Sequence, residues 1–211
     1  MKFRSFALLL LLLAGLPRLL LADTLLIVGD SLSAAYGIEV DQGWVSLLQQ
    51  QLAVEQYPCT IVNASISGDT TANARARLPE TITRHRPAIV ILELGGNDGL
   101  RGLSLAAMRD NLGAMITAVQ QAGAKVLLIG VELPPNYGTQ FTDKFRAVYR
   151  ELAAQHGVAL LPSLVDGVGT RPELMQADGI HPNGAAQALI AARVREALQP
   201  LLRRTGCADG N

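Results

Sequence analysis

The chain has 211 residues, 49% of them hydrophobic, with 20 glycines, three histidines, two cysteines and a formal net charge of +0. That length supports one domain with a real core and is short for two, and the apolar content excludes a disordered chain. Lys2, Arg4 and Arg18 fall in residues 1–22 without any acid, so the remainder is mildly acidic; lacking a basic run, it has no electrostatic footing for nucleic acid.

In chain order, the first element is expected to be a sorting signal. Lys2 and Arg4 make a positive start, residues 5–16 are Leu-rich, and Pro17 ends the run. So short a run fits a removable secretory signal over residues 1–22 better than a membrane span. An uncleaved anchor is the rival, because Leu19–Ala22 prolong the apolar stretch beyond Arg18. Cleavage after Ala22 satisfies the need for a small residue, although Leu20 is larger than preferred. Asp23 stands where a lipid-modified cysteine would have to be, so no lipoprotein anchor is expected. The expected location is the periplasm or the exterior.

Short apolar runs then alternate with longer amphipathic ones. Strands are predicted over residues 24–29, 60–64, 88–94, 125–131 and 158–161, all rich in Val, Ile and Leu without polar alternation. Helices are predicted near 43–55, 71–84, 104–122, 139–156 and 183–202. Five strand–helix repeats imply an α/β fold, a three-layer α/β/α arrangement around a five-stranded parallel sheet. No repeat, low-complexity tract or linker divides it, which gives one domain over 23–205 and a short tail, 206–211. Cys59 precedes a strand and Cys207 lies in that tail. An oxidising compartment would permit them to pair, but nothing in the sequence brings them together, so one half-buried thiol and one loose thiol are expected.

Open parallel sheets bind ligands beyond the carboxyl ends of their strands, so chemistry is expected in the loops that follow strands. Those loops hold Gly29-Asp30-Ser31-Leu32-Ser33, then residues 63–70 with Gly68, then Gly95-Gly96-Asn97-Asp98-Gly99, then residues 132–138, and finally Asp178-Gly179-Ile180-His181-Pro182. His85 and His156 close helices that lead into strands and so belong to the opposite rim, where a helix C-terminus suits them. His181 alone is placed to act as a general base, with Asp178 able to hold its Nδ1 and leave Nε2 free for a hydroxyl proton. A capped turn before the last helix, with Asn183 as the cap, would explain Asp178 and His181 without chemistry. Ser31, ending the first strand where backbone N–H groups point outward, is the best nucleophile. Gly68 could offer a backbone N–H to the same oxyanion, and Asn97 its side-chain amide.

Other chemistries fit less well. There is no G-x-S-x-G elbow, no P-loop and no dinucleotide fingerprint, and the histidines and cysteines are too scattered for a zinc site. Asp30, Asp69 and Asp98 read as loop residues that hydrogen-bond the backbone rather than as a cation cluster. Glu93 and Glu132 receive no role.

Four blocks in order, Gly-Asp-Ser-Leu-Ser at 29–33, Gly68, Gly-Gly-Asn-Asp at 95–98 and Asp-Gly-Ile-His-Pro at 178–182, resemble those of the SGNH (GDSL) hydrolases. The resemblance spans essentially the whole chain after the signal. It implies the flavodoxin-like version of the fold and an ester hydrolase without metal or organic cofactor. Catalysis would fall to Ser31, His181 and Asp178, and the oxyanion would be held by the Ser31 N–H, Gly68 and Asn97. The phrases at 62–70, 93–102 and 133–138 are similar to those of bacterial multifunctional members acting on carboxylic esters, acyl thioesters and lysophospholipids. By the same resemblance Asp30, Gly99, Leu100, Arg101, Leu133, Pro134 and Tyr137 would contact substrate, and residues 99–103 would lie beside the acyl chain. The expected partner is a small acyl ester, thioester or lysolipid, met by a monomer with brief contact to a membrane surface. A carbohydrate O-acetylesterase of the same family and a non-catalytic periplasmic binding protein are the alternatives.

Overall fold

Five parallel strands, β1 (Asp23–Gly29), β2 (Cys59–Asn63), β3 (Ile89–Glu93), β4 (Lys125–Ile129) and β5 (Ala159–Leu161), form one sheet in the order β2-β1-β3-β4-β5. The computed structural model describes residues 23–205 and Cys207. The expected signal segment, residues 1–22, lies outside the described residues. Strand order reverses between β1 and β3, which is where an open α/β sheet leaves a crevice at its carboxyl end.

Side chains of each central strand alternate between two cores. Leu25, Ile27, Ile89 and Ile91 face α1 (Trp44–Val54) and α6 (Gln187–Leu202), whereas Leu26, Val28, Val90 and Leu92 face α2 (Thr71–His85), α4 (Leu105–Gln121) and α5 (Thr139–His156). Burial on both faces explains why these strands read as unbroken apolar runs. The structure adds a five-residue helix, α3 (Gly96–Leu100), within what the sequence suggests is a loop. The last helix also starts later than expected. Residues 184–186 form a 3-10 turn in which the Asn183 side chain accepts from the Ala185 N–H at 3.0 Å, and α6 follows. Among the described residues, no helix is long and apolar enough to cross a membrane.

The cysteines depart from expectation. Cys59, at the start of edge strand β2, is disulfide-bonded to Cys207, which is fully buried and lies 148 positions further along the chain. The tail thiol is therefore not loose: it returns to the sheet after α6 and packs in the α1/α6 core. The bond sits at the amino end of β2, away from the loops beyond the strands' carboxyl ends. Replacing Cys207 with Ser is expected to cost about 2–4 kcal/mol of stability. Urea unfolding would show this as a lower midpoint, while the folded variant's specific activity stays at the parental level.

Candidate active site

The segment after β1 is fixed from every side. Ala34 donates its N–H to the Asp30 carbonyl at 3.0 Å, which turns the chain as soon as the strand ends. The Leu32 N–H donates to Asp30 Oδ1 (3.1 Å), the Trp44 indole N–H to the Leu32 carbonyl (3.0 Å), and the Asn63 amide to the Ser33 carbonyl (2.8 Å). Beneath them, the Ser33 hydroxyl donates to Oε2 of fully buried Glu93 at 2.6 Å. Gly29 makes this approach possible, since a Cβ there would stand 2.7 Å from Ser33 Oγ and 2.9 Å from Glu93 Oε2. Held in this way, Ser31 presents its hydroxyl to the cleft.

His181 Nε2 lies 2.8 Å from Ser31 Oγ, and His181 Nδ1 lies 2.6 Å from Asp178 Oδ2. The other Asp178 oxygen accepts the N–H groups of Ile180 (2.9 Å) and His181 (3.0 Å), so one carboxylate shapes the turn and orients the ring. Asn183 caps the following turn as well, so the capped turn and the Asp178–His181 contact coexist. Loss of water works against the Asp178 charge, but the His181 and Ile180 N–H groups and the His181 ring outweigh it and hold the carboxyl down at about 2. A carboxylate kept ionised there can fix the imidazole tautomer that accepts a hydroxyl proton.

Facing this pair are the expected oxyanion donors. Gly68 occupies a tight turn closed by the Asp69 N–H on the Ile66 carbonyl (3.1 Å), and its φ of +83° is a left-handed value that a glycine adopts freely. Among the described residues, no acceptor engages the N–H of Ser31 or of Gly68. Asn97, in the first turn of α3, donates one amide hydrogen to Asp30 Oδ2 at 3.2 Å, which leaves its second N–H for a ligand. Asp30 is 2% exposed, and burial pushes its carboxyl from the ordinary 3.8 up to about 6, against the pull of the Leu32 N–H and the Asn97 amide. Burial, reinforced by the neighbouring Asp30 charge, raises Glu93 well above the usual carboxylate range and so favours its neutral form.

Asp98 binds backbone as the sequence suggests, whereas Asp69 is engaged by the Arg77 guanidinium instead. Asp69 pairs with Arg77 at 2.7 Å, and Asp98 accepts the Thr71 N–H (2.9 Å) and hydroxyl (2.5 Å) at the start of α2. Among the described residues, no group of three or more His, Cys, Asp or Glu is placed to hold a metal ion.

A cavity of about 210 Å³ opens over Ser31 and His181. Of the residues expected to contact substrate, Asp30, Leu100, Leu133 and Pro134 line it. Gly99, Arg101 and Tyr137 do not, and each has a supporting task instead. Gly99 is packed under the Leu133 side chain, the Arg101 guanidinium donates to the Gly68 carbonyl (3.0 Å), and the Tyr137 hydroxyl donates to the Leu100 carbonyl (3.0 Å). Lining residues absent from the sequence-based set include Tyr36, Val131, Val165 and Ile180. Ile180 directly precedes His181, which is a usable signal; Val165 follows β5 in a long loop, where its apolar side chain carries no chemical mark.

Comparison with known proteins identifies a family. The profile of the GDSL-like Lipase/Acylhydrolase family matches residues 27–189. The chain belongs to that family. Esterase TesA of Pseudomonas aeruginosa is 52% identical over 86% of this chain and 90% of its own. The Thioesterase 1/protease 1/lysophospholipase L1 of Escherichia coli is 45% identical over 86% of each chain. The crystal structure of esterase EstA from Pseudoalteromonas sp., inhibited by monoethylphosphonate, superposes with a TM-score of 0.81 at 37% identity, covering 86% of this chain and 99% of that one. This GDSL-like hydrolase is thus a hydrolase of ester bonds.

The buried Asp30 leaves a measurable trace in such a hydrolase. Its folded-state pKa lies above the unfolded 3.8, so its charge opposes folding once ionised. The stability that Asp30 contributes is complete below 3.8 and is lost as pH rises towards about 6. Replacing Asp30 with Asn removes that dependence. Urea unfolding at a series of pH values should show variant stability gaining on the parent's between pH 4 and pH 6, on top of a constant offset from the altered hydrogen bonds.

Proposed function

We propose that this hydrolase cleaves esters through an acyl-enzyme on Ser31, with His181 as general base and Asp178 as its orienting partner. The contact of 2.8 Å between Ser31 Oγ and His181 Nε2 carries the reading. Ser31 Oγ attacks the acyl carbon while its proton passes to His181 Nε2, and the N–H groups of Ser31 and Gly68 and the Asn97 amide receive the oxyanion. Collapse breaks the bond to the alcohol or thiol, which leaves with the proton from His181. Water then gives a proton to Nε2 and attacks the acyl carbon, and the second collapse returns the Ser31 hydroxyl and frees the carboxylic acid.

The substrates proposed are acyl esters, acyl thioesters and lysophospholipids. Two observations support this class: the activities for which the relatives are named, and an apolar wall of Val131, Leu133, Pro134, Val165 and Ile180 beside the nucleophile. Large apolar side chains also stand exposed on the rim loops, Tyr36 at 52%, Ile66 at 50%, Leu103 at 45% and Ile180 at 37%. They favour brief contact of a monomer with a lipid surface. Export by a removable signal over residues 1–22 is proposed from the charged start and apolar run, and the Cys59–Cys207 bond fits an oxidising compartment.

Ser31→Ala is expected to fold normally by circular dichroism and to lose turnover; a folded variant that retains turnover overturns the nucleophile. Asn97→Ala should lower kcat by about 100- to 1,000-fold. Loss confined to KM would remove it from the oxyanion site. A chain-length series of matched esters and thioesters should favour medium and long acyl chains, whereas activity on acetyl esters alone would indicate the O-acetylesterase alternative.

A further inference from the structure

The His181–Asp178 pair stands at the mouth of the cleft, where the His181 side chain is 17% exposed and that of Asp178 38%. A contact partly open to solvent is weaker than a buried one. His181 has a second support. Its ring packs on Tyr36 with centroids 4.6 Å apart and planes tilted by 41°. Tyr36 comes from the same loop as the nucleophile, and its N–H donates to the Ser31 carbonyl at 3.3 Å. Ala35, immediately before it, holds a φ of +57°, a left-handed value uncommon for a residue with a Cβ. Strain of that kind persists where the surroundings enforce it.

Gln176 ties this loop to the histidine loop. Its side-chain amide donates to the Tyr36 carbonyl at 2.8 Å and to the Pro182 carbonyl at 3.1 Å, and its backbone N–H donates to the His181 carbonyl at 2.7 Å. Met175 and Pro182 form an antiparallel bridge beside it. One residue therefore bonds the backbone of Tyr36 and that of the His181–Pro182 segment.

We propose that Tyr36 and Gln176 are positioning residues: the Tyr36 ring braces the His181 imidazole over Ser31, and Gln176 holds the two loops together so that the brace stays aligned. The inference rests on His181 being the base. The Tyr36 hydroxyl has no part in it; the ring face does. Aromatic contacts of this kind change populations by several-fold, and misplacing a base by a fraction of its hydrogen-bond length is costly to rate.

The test uses the whole enzyme with p-nitrophenyl butyrate. Tyr36→Leu should lower kcat roughly 5- to 10-fold with little change in KM, and Tyr36→Phe should recover most of that loss. Gln176→Ala should lower kcat about two- to threefold, and the double variant Tyr36→Leu/Gln176→Ala should lose less than the product of the two, because both act through one ring. In proton NMR, the His181 ring signals should show an upfield ring-current shift in the parent and Tyr36→Phe that disappears in Tyr36→Leu. Melting temperatures accompany each variant; if Tyr36→Leu does not fold, Tyr36→Phe and Gln176→Ala decide. A rise confined to KM, equal losses in Leu and Phe variants, or an unchanged rate in Gln176→Ala would overturn the brace. His181→Ala separates the two levels: activity retained there refutes the base itself, whereas an inactive His181→Ala alongside a fully active Tyr36→Leu refutes only the brace.

Discussion

A hydrogen bond of 2.8 Å joins Ser31 to His181 across 150 positions of chain, and most of the architecture determines whether it forms. The serine stands two residues past the strand next to the sheet's reversal point, and the histidine precedes the last helix. They meet because α6 packs on α1 under the β1 side of the sheet, and because Trp44, at the start of α1, is bound both to the nucleophile turn and to Gln187 at the start of α6. The Trp44 indole N–H donates to the Leu32 carbonyl, and its backbone N–H donates to Gln187 Oε1 at 3.0 Å. A single buried residue, through its indole and its backbone N–H, thereby sets the separation between the two halves of the pair.

Two acids lie under that pair, and both are disfavoured as anions by burial. Their placement follows from the work of fixing a short turn. Asp30 binds the Leu32 N–H and the Asn97 amide, and Glu93 binds the Ser33 hydroxyl. Replacing either with an apolar group would leave buried donors without acceptors, which costs more than the desolvation it relieves when the donors cannot reach water. The Asp30–Asn97 bond also joins the segments after β1 and β3, so the proposed nucleophile and a proposed oxyanion donor are positioned by the same carboxylate.

The features with long-range regularity were legible in the sequence. Strands buried on both faces leave continuous apolar runs, and five of them fixed the layer count and the rim on which to look. Three histidines, two of them at helix ends, left His181. What escaped was short or depended on contact between distant segments. Gly96–Leu100 is a single turn of helix written in glycines and polar residues, with no apolar period to betray it. The Cys59–Cys207 bond depends on where the chain goes after α6, which no local pattern encodes. Arg101 and Tyr137 carry side chains suited to binding substrate, yet both are spent on backbone carbonyls, those of Gly68 and Leu100. Glu93 has no role legible in the sequence because its partner, the Ser33 hydroxyl, lies 60 positions away.

The apolar wall beside Ser31 is assembled from residues on different connections: Val131, Leu133 and Pro134 after β4, Val165 after β5, and Ile180 before the last helix. None of these side chains belongs to the hydrogen-bond set that fixes Ser31, Asn97 and His181. Exchanging one for a larger or smaller apolar residue reshapes the groove while the reactive pair keeps its spacing. Descendants of this chain can accordingly acquire new acyl preferences in single mutational steps, without first passing through an inactive ancestor.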